Sequence, residues 1–322
     1  MFSLEPKIRI VLISKKFVRT LLDIPLFLKR RQYSFQRYNC RIVNNSNEIE
    51  AFKQKNEAIT KKCRDFDYNA SLAEENHGFW GKGICSCCEN RVSFSYNIKT
   101  QFSSHILFTE TLSCPICGSF NRIRAIYHIF KIFEKNPKNK KIYCYEQTTG
   151  FYENLKKLYS KNNEVIGSEY FGSDKTPGEY IDGIRHEDGL NLSFKDNELD
   201  YIFSNDVFEH IPDIDLALKE AKRCLKKGGK LIMRIPFELS VKKTIKRAEI
   251  KDGEIVFNTP PEYHGGFSHD DPNGCLVFYT FGCDIFDIMK KAGFKKSYGV
   301  AILDEKYANV NYDPIVVFVC EK

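Results

Sequence analysis

The chain has 322 residues, and its hydrophobic content of 42% supports a large core and excludes a globally disordered protein. Lys15, Lys16, Arg19 and Asp23 interrupt the best candidate for a bilayer-spanning run, and no signal-peptide cleavage pattern follows it. Residues 1–64 carry 15 Lys and Arg against 5 Asp and Glu, a net charge of +10, whereas the rest carries 34 against 37, a net charge of −3, so the total is +7. A nearly neutral body argues against a nucleic-acid groove across the main domain, although not against a basic arm.

Residues 1–64 form the first predicted unit, a basic and partly helical segment. Seven of its apolar residues between positions 8 and 22 can share one helical face. They are Ile8, Val11, Leu12, Phe17, Val18, Leu21 and Leu22. One hypothesis is a basic amphipathic helix on an anionic membrane surface, and the other, which we favour, is a helix packed on the main domain. We therefore expect a cytoplasmic protein, which the first hypothesis would place at the inner face of the membrane. Residues 65–80 are interpreted as a connector that ends at Trp80.

Two cysteine pairs define the second predicted unit, a zinc-ribbon-like domain over residues 65–125. Cys85-Ser86-Cys87-Cys88 is followed, after 25 intervening residues, by Cys114-Pro115-Ile116-Cys117-Gly118. Each C-x-x-C knuckle places two thiolates on one side of a tight turn, and two such turns complete a tetrahedral zinc site. The predicted ligands are Cys85, Cys88, Cys114 and Cys117, with Cys87 as a substitute or a bystander. Four protein ligands leave no open position, which indicates a structural ion, and the alternative is a set of unliganded buried cysteines.

Arg122 and Arg124 follow the second knuckle and begin a predicted helix that runs through Phe130 and Phe133. Such arginines can bind an anionic group or can attach a small domain to a larger one. We favour the second interpretation.

The third predicted unit, residues 126–322, alternates strands and helices. Strands are predicted near 142–146, 164–169, 185–188, 199–204, 230–236, 300–302 and 315–319. Apolar runs indicate all of them except 185–188, which is interpreted as an acidic strand end. Between the fourth and fifth runs, Pro212-Asp213 begins a helix whose apolar stripe ends before Gly228-Gly229, the predicted left-handed stop. Asp206 and Glu209 have the spacing of a capping box at the start of a helix. Strand, helix and strand at this spacing form a βαβ crossover, which predicts parallel strands and an α/β domain.

Residues 188–237 also carry a family resemblance. The run D-x-x-x-L-S-F-x-D-N-x-x-D-x-I-x-S-N-D-V-F-E-H-I-P, followed by A-L-x-E-x-x-R-C-L-K-K-G-G-x-L, resembles the middle section of class I S-adenosylmethionine-dependent methyltransferases of type 11. The resemblance implies a Rossmann-like sheet of seven strands whose last pair is antiparallel. The C-P-x-C-G-x-x-x-R-x-R segment before it resembles bacterial proteins that join a zinc ribbon to a methyltransferase fold.

The same resemblance implies S-adenosylmethionine as the cofactor, bound where the strands end. Its predicted ligands are Glu146, Gly150, Glu169, Asp188, Gly189, Ser204 and Asn205. Glu169 would accept from both ribose hydroxyls and Asp188 from the adenine amino group, because carboxylate oxygens accept paired donors. Ligands of open α/β sheets bind at these strand ends. Thr148 stands where the family has a loop glycine, which raises the question of whether the loop still holds the cofactor.

Residues 238–280 are too long for an ordinary connection and are predicted to be a substrate lid. The candidate acid and base residues are Tyr263, His264 and His269 in this insertion, together with His210. Histidine exchanges protons near neutral pH, as an acceptor hydroxyl requires. His210 has a second interpretation as a packing or capping residue.

The favoured function is methyl transfer to an oxygen or nitrogen of a small polar acceptor, such as a sugar of surface glycan assembly. One alternative is an RNA methyltransferase that holds RNA with the ribbon, for which Arg91, Lys99, Arg122, Arg124, Phe94, Tyr96 and Phe102 are available. The other is a non-catalytic ribbon module on a degenerate methyltransferase fold.

Overall fold

The structure, a computed structural model, describes residues 38–71, 77–97, 106–264 and 274–322. The predicted amphipathic face between positions 8 and 22 lies outside these residues. Among the described residues, no helix has both the length and the apolar character needed to cross a membrane.

Helices and strands alternate along most of the chain. The helices are α1 (Ser46–Lys55), α2 (Glu57–Ser71), α3 (Phe108–Thr111), α4 (Asn121–Phe133), α5 (Gly150–Tyr159), α6 (Ile214–Cys224) and α7 (Ile285–Lys291). The strands up to the site are β1 (Cys40–Val43), β2 (His77–Ile84), β3 (Arg91–Asn97), β4 (Lys141–Cys144), β5 (Glu164–Gly167), β6 (Tyr180–Ile181), β7 (Ile184–Arg185), β8 (Leu199–Asn205) and β9 (Leu225–Arg234). Those that follow are β10 (Ile245–Lys246), β11 (Ala248–Lys251), β12 (Glu254–Phe257), β13 (Tyr263–His264), β14 (Cys275–Leu276), β15 (Tyr279–Thr280), β16 (Lys296–Ile302) and β17 (Ile315–Glu321).

A seven-stranded sheet forms the centre, in the order β1-β16-β17-β9-β8-β4-β5. The strands β5, β4, β8 and β9 are parallel to one another, whereas β17 pairs antiparallel with β9, and β16 and β1 continue the antiparallel part. Alternate side chains enter two different cores: Ile142 and Phe203 pack with α4 and α5 on one face, and Tyr143 and Ile202 pack with α6 on the other. This is the predicted α/β arrangement, and the antiparallel pairing of the last two strands is confirmed.

The count of seven strands is right, but one member was predicted wrongly. The 185–188 segment contributes only a single parallel bridge between Glu169 and His186, because Ile184–Arg185 pairs instead with Tyr180–Ile181 in a small hairpin. The seventh strand is β1, which lies at the other edge of the sheet. It pairs with β16, and Cys40 faces Ile302. The segment placed in a separate N-terminal unit therefore contributes to the main sheet.

The βαβ unit around β8 was predicted well at its centre and less well at its ends. Helix α6 begins after Asp213, whose Oδ1 accepts from the Leu216 amide at 3.0 Å. The helix ends at Cys224, and β9 starts at once, so that Gly228 and Gly229 lie within the strand rather than at a helix stop. The register shifts there, and a Cβ on Gly229 would lie 2.9 Å from the Lys226 carbonyl oxygen. The two glycines therefore accommodate a bulge.

The described residues of the predicted connector, 65–71 and 77–80, belong to a helix and a strand. Helix α2 continues to Ser71, and Trp80 lies in β2. The indole ring lies 4.8 Å from the Phe66 ring and 5.3 Å from the Phe108 ring between centroids, so these aromatic side chains join α2, β2 and α3. The predicted boundaries after residues 64 and 125 both fall inside helices, α2 and α4.

Arg124 attaches the cysteine-containing segment to the main sheet. Its side chain is fully buried, lies 4.3 Å above the Phe94 ring, and donates to the Leu112 and Ser119 carbonyl oxygens at 2.8 Å each. A further hydrogen bond of 2.8 Å reaches the Ala308 carbonyl oxygen, beyond β16. Arg122 pairs with Glu110 and with Asp206 at the end of β8. Both arginines therefore make internal contacts, in agreement with the favoured interpretation.

Candidate functional site

Several predicted cofactor residues meet at the edge where the parallel strands end. Glu146 follows β4, Glu169 follows β5, and Ser204 and Asn205 are the last residues of β8. The Asn205 amide donates to Glu146 Oε1 at 3.0 Å, which joins the ends of β4 and β8. Carboxyl ends of parallel strands open onto a common crevice, and this geometry places polar groups around it.

The loop after β4 is held by Glu169. Its Oε1 accepts from the Gln147 amide, the Thr148 amide and the Thr148 hydroxyl, each at 2.8 Å. Thr149 then acts as the N-cap of α5, where its hydroxyl oxygen accepts from the Tyr152 amide at 3.4 Å. The residue that replaces the expected glycine, Thr148, thus supplies a hydrogen bond that glycine cannot make.

Glu146 is a buried carboxyl without a cationic partner in contact. Burial raises its pKa from 4.5 to about 8, and the hydrogen bonds from Thr149 and Asn205 only partly oppose this effect. The folded protein therefore favours the protonated carboxyl near neutral pH, and a positively charged ligand would favour the carboxylate.

Two buried polar atoms beside Glu146 have no hydrogen-bond partner within the described part of the chain. They are Ser204 Oγ and Asn205 Oδ1, both at the end of β8. Buried polar atoms are rarely left without a hydrogen bond, so each is a candidate contact for a ligand. At Gly150 an added Cβ would meet no atom within 4 Å, which shows open space beside the first turn of α5.

Asp188 and Gly189 border the same edge of the sheet. Asp188 Oδ1 accepts from the Leu190 amide at 2.8 Å, which orients the carboxylate. A Cβ on Gly189 would lie 2.7 Å from Ile211 Cδ1 and 3.6 Å from the Tyr145 ring, so the backbone packs directly against the residue that precedes Glu146.

Asp206 does not form the predicted capping box with Glu209. Its backbone is left-handed, with φ of 55°, and its carboxylate pairs with Arg122 and with Arg234 at the end of β9. Burial opposes ionisation, but the Arg234 and Arg122 guanidinium groups hold the pKa of Asp206 below its ordinary value. The tertiary ion pairs outweigh the local capping preference because Asp206 is buried between two cations.

Glu209, His210 and His264 form a second cluster. One ligand atom from each lies within 4.8 Å of the others. The Glu209 side chain is fully buried, and burial, followed by the charge of Asp206, raises its pKa well above the ordinary value. His210 Nδ1 lies 2.8 Å from the Leu276 carbonyl oxygen, and His264 Nε2 lies 3.1 Å from Glu262 Oε1.

The predicted catalytic residues are thus partly brought together. His210 and His264 lie with ring centroids 5.4 Å apart, and Tyr263 is the neighbour of His264 in β13. His269 lies outside the described residues. The insertion folds into short hairpins, and the Phe278 amide donates to the Glu209 carbonyl oxygen at 2.7 Å, so it rests on the turn after β8.

Sequence reasoning missed three residues of this region: Glu209, Asp206 and Arg234. For the two acids the signal was present in the S-N-D-V-F-E-H run, where their spacing is also that of a helix cap, whereas nothing around Arg234 pointed to this region. Their roles depend on which distant residues pack against the end of β8, and local spacing does not contain that information.

The four predicted zinc ligands also lie together. Sγ of Cys85 lies 3.7 Å from Sγ of Cys117, and Sγ of Cys88 lies 3.8 Å from Sγ of Cys114. All four sulfur atoms are within 4.8 Å of one another, and Cys87 is not in this group. Zn–S bonds of about 2.3 Å in a tetrahedron separate the sulfur atoms by roughly 3.8 Å, so the arrangement fits a zinc ion.

The two knuckles have equivalent backbone turns. The Glu89 amide donates to the Cys85 carbonyl oxygen at 2.8 Å, and the Gly118 amide donates to the Cys114 carbonyl oxygen at 2.9 Å. Both fifth residues are left-handed, with φ of 63° at Glu89 and 68° at Gly118. Gly118 therefore suits the left-handed backbone that the second knuckle requires, and Glu89 adopts the same conformation in the first knuckle.

Comparison with known proteins identifies the segment that includes β4, β5, β8 and most of β9. Residues 129–233 match the family model described as a methyltransferase domain. This segment is a methyltransferase domain. The prediction of a methyltransferase is confirmed at this level, and the seven-stranded sheet with helices on both faces fits the Rossmann-like fold expected for it.

Curated relatives match over a similar but shorter stretch. The demethylmenaquinone methyltransferase of Staphylococcus saprophyticus is 34% identical over 84 residues, which cover 24% of this chain and 36% of that protein. The protein of the same name from Staphylococcus carnosus is 36% identical over 81 residues, or 34% of its length. The chain thus spans about a third of the length of these relatives.

Among solved structures, one similar chain is an S-adenosylmethionine dependent methyltransferase from Mesorhizobium loti. It is 12% identical, with a TM-score of 0.39, and the match covers 62% of this chain and 98% of that one.

We predict that Glu146 makes the stability of the methyltransferase domain depend on pH. Because burial raises its pKa from 4.5 to about 8, the favourable contribution of the protonated group is complete below pH 4.5 and is lost as the pH rises through about 8. Glu146→Gln keeps an acceptor for the Asn205 amide and cannot ionise. Its free energy of unfolding relative to wild type should therefore rise between about pH 5 and about pH 9, as measured by urea denaturation.

Glu153→Gln, an exposed change on α5, is the matched control and should show no such rise. A constant difference between Glu146→Gln and wild type across this pH range would contradict the prediction.

Proposed function

We propose that the protein transfers a methyl group from S-adenosylmethionine to an oxygen or nitrogen atom of a small polar acceptor, with sugar-like compounds favoured. The observation that carries the proposal is the set of polar groups at the carboxyl ends of β4, β5 and β8, in a segment that matches a methyltransferase domain. They are Glu146, Glu169 and the unpartnered atoms of Ser204 and Asn205. Such groups suit a cofactor with a cationic end and several hydroxyl and amino donors.

The cofactor would supply an activated methyl group on a sulfonium. Glu169 would accept from the ribose hydroxyls through Oε2, since its three protein hydrogen bonds all end on Oε1. Glu146 would face the cationic methionine end, with Asn205 Oδ1 and Ser204 Oγ as further contacts. Asp188 and Gly189 would border the adenine.

Transfer would be an in-line displacement, and the chain's contribution would be chiefly alignment and removal of a proton. As the bond from the acceptor oxygen or nitrogen to the methyl carbon forms, the carbon–sulfur bond breaks and its electron pair stays on sulfur. The acceptor proton would go to an imidazole of the cluster after β8. His264 is the favoured proton acceptor, because its side chain is 39% exposed and His210 is 19% exposed.

Two observations favour a small polar acceptor: the polar residues of the insertion, and the internal contacts of residues that the RNA hypothesis would need on the surface. Polar groups of the insertion, Glu262 and His264, approach the end of β8. The RNA alternative needed free basic and aromatic groups on the ribbon, but Arg122 and Arg124 make internal contacts and Phe94 is buried. Lys99 and Phe102 lie outside the described residues. The name of the curated relatives does not define the acceptor here, because the match covers only about a third of their length.

A calorimetric titration with S-adenosylmethionine tests the cofactor proposal. We expect wild type to bind, and Glu169→Ala to weaken binding by about tenfold or more, since hydrogen bonds to a charged carboxylate are worth roughly 1.5–3 kcal/mol. Glu153→Ala, which is exposed on α5, should bind as wild type does.

Glu169 also holds the loop at Gln147 and Thr148. The affinity of Glu169→Gln should therefore be measured beside that of Glu169→Ala, and the unfolding transition of each variant should be recorded. An unchanged affinity in Glu169→Ala would refute the ribose placement. A folded wild-type protein that fails to bind millimolar cofactor would overturn the proposed function and favour the non-catalytic alternative.

Labelled methyl transfer tests the acceptor class. The protein is incubated with methyl-labelled S-adenosylmethionine and a cell extract separated into small-molecule and RNA fractions. We expect label in the small-molecule fraction, with little effect of ribonuclease. Label that appears only in RNA and disappears after ribonuclease treatment would replace the proposed acceptor by the RNA alternative.

We also propose that Cys85, Cys88, Cys114 and Cys117 bind a structural zinc ion. The sulfur separations of 3.7 and 3.8 Å support this, as do the two equivalent knuckle turns. The ion would crosslink two turns far apart in sequence, next to the helix that carries Arg122 and Arg124. Its role would be to stabilise the fold, since protein sulfur atoms supply all four ligands.

We expect protein purified without chelator to contain about one zinc ion per chain at the cysteines, measured by elemental analysis. Cys117→Ser should lose this zinc and lower the unfolding temperature, because metal binding and folding are coupled. Cys87→Ser changes a buried cysteine of the same segment that is outside the cluster, and it should keep the zinc. Zinc retained in Cys117→Ser but lost in Cys87→Ser would show that the ligand set is wrong.

A further inference from the structure

A metal-binding arrangement lies at the end of β8, apart from the cysteines. Glu209 and His210 come from the turn after β8, and His264 comes from β13 in the insertion. One oxygen or nitrogen atom from each lies within 4.8 Å of the others. We propose that these three side chains bind a divalent first-row transition-metal ion, and that the ion in turn binds an oxygen atom of the methyl acceptor.

Glu209 gives the first reason. Its side chain has no exposed surface, and neither carboxylate oxygen has a hydrogen-bond partner among the residues that the structure describes. A buried carboxyl without partners is costly, and a native structure tolerates it mainly where a ligand or ion completes the site. In the same cluster, His210 Nε2 lies 3.7 Å from Glu209 Oε1. A cation between these atoms would satisfy both.

His210 is oriented as a metal ligand. Its Nδ1 lies 2.8 Å from the Leu276 carbonyl oxygen, which can only accept, so Nδ1 carries the proton. The other nitrogen, Nε2, then has a free lone pair and faces Glu209. A backbone carbonyl that fixes the tautomer in this way is the common outer contact of histidines that bind metals.

His264 completes the set from the opposite side. Its Nε2 lies 3.1 Å from Glu262 Oε1, and Glu262 also pairs with Arg247 at 3.1 Å. A carboxylate beside a ligating histidine orients the ring and raises its basicity. Since His264 is 39% exposed, the cluster is open on one side, where a substrate atom could enter.

The donor set indicates the class of ion. Two imidazoles and one carboxylate suit Zn²⁺, Mn²⁺, Fe²⁺ and Co²⁺, and three protein ligands leave positions open for water or substrate. This distinguishes the cluster from the four cysteines, where protein atoms fill every position.

The inferred role rests on the proposed function, whereas ion binding itself does not. A hydroxyl bound to a divalent cation loses its proton more readily, so the acceptor would be an alcohol, and neighbouring hydroxyls would bind better than one. The hydroxyl proton would leave to solvent. The resulting oxygen would form a bond to the methyl carbon while the carbon–sulfur electron pair returns to sulfur. With the ion bound, the two imidazoles would act as ligands, and solvent would take the proton that His264 accepts in the metal-free form of the proposal.

Manganese is a suitable probe because carboxylate and imidazole ligands accept it, whereas the four-thiolate site favours zinc. Zinc-containing full-length protein is titrated with Mn²⁺, and free Mn²⁺ is followed by electron paramagnetic resonance. We expect one Mn²⁺ per chain in wild type and at least about a hundredfold weaker binding in Glu209→Gln and in His264→Gln, since even the loss of an outer contact costs 10–100-fold. His77→Gln, which changes an exposed histidine in β2, should bind as wild type does.

Glu209 is buried, so a failure of its variant to fold would leave His264→Gln, at a half-buried position, as the decisive variant. The inference is overturned if wild type binds neither Mn²⁺ nor Co²⁺, or if binding persists in the folded variants. Cofactor calorimetry on the same samples separates the two proposals. Retained cofactor binding without metal binding refutes only the metal site, and metal binding without cofactor binding refutes only the proposed function.

Discussion

The site depends on the buried ion pairs that Asp206 makes with Arg122 and Arg234. Asp206 directly follows β8, Arg234 ends β9, and Arg122 lies at the start of α4, shortly after the second cysteine knuckle. Their side chains are only 14–22% exposed. Removal of one member of such a buried group costs about 3–5 kcal/mol, because the others lose their compensating charge. One carboxylate between two guanidinium groups therefore joins the cysteine segment to the sheet at the point where the site is built.

This joint also sets the position of the groups on either side of Asp206. The preceding residue, Asn205, connects β8 to Glu146, and the turn that follows delivers Glu209 and His210. The left-handed backbone of Asp206 directs the chain from the strand into that turn. Strain and unpaired polar groups concentrate at functional sites, since a sequence optimised for stability alone would remove them. Glu146 and Glu209 follow this rule, because each is a buried carboxyl with no Lys or Arg in contact among the described residues. The charge of Asp206, in contrast, is balanced by two arginines.

Local signals predicted much of the fold and part of the site. The apolar run of β8, the Asp213 cap of α6 and the antiparallel last pair appear as expected. The cysteine spacing also identified four sulfur atoms that lie together. These predictions were right because each depends on residues that are close together in the chain, or on a pattern that repeats with the period of a strand or helix.

The other features of the fold and the site could be recognised only in the tertiary structure. The sequence determined an α/β chain with a methyltransferase-like segment, a pair of cysteine knuckles and carboxylates after its strands. Only the folded structure decided that β1 and not the 185–188 segment completes the sheet, because an edge strand is selected by the neighbour it can pair with. It also decided that Asp206 binds arginines and that Glu209 meets His264 from an insertion more than fifty residues away. Charge and ligand contacts depend on distance in space, and local spacing does not report that distance.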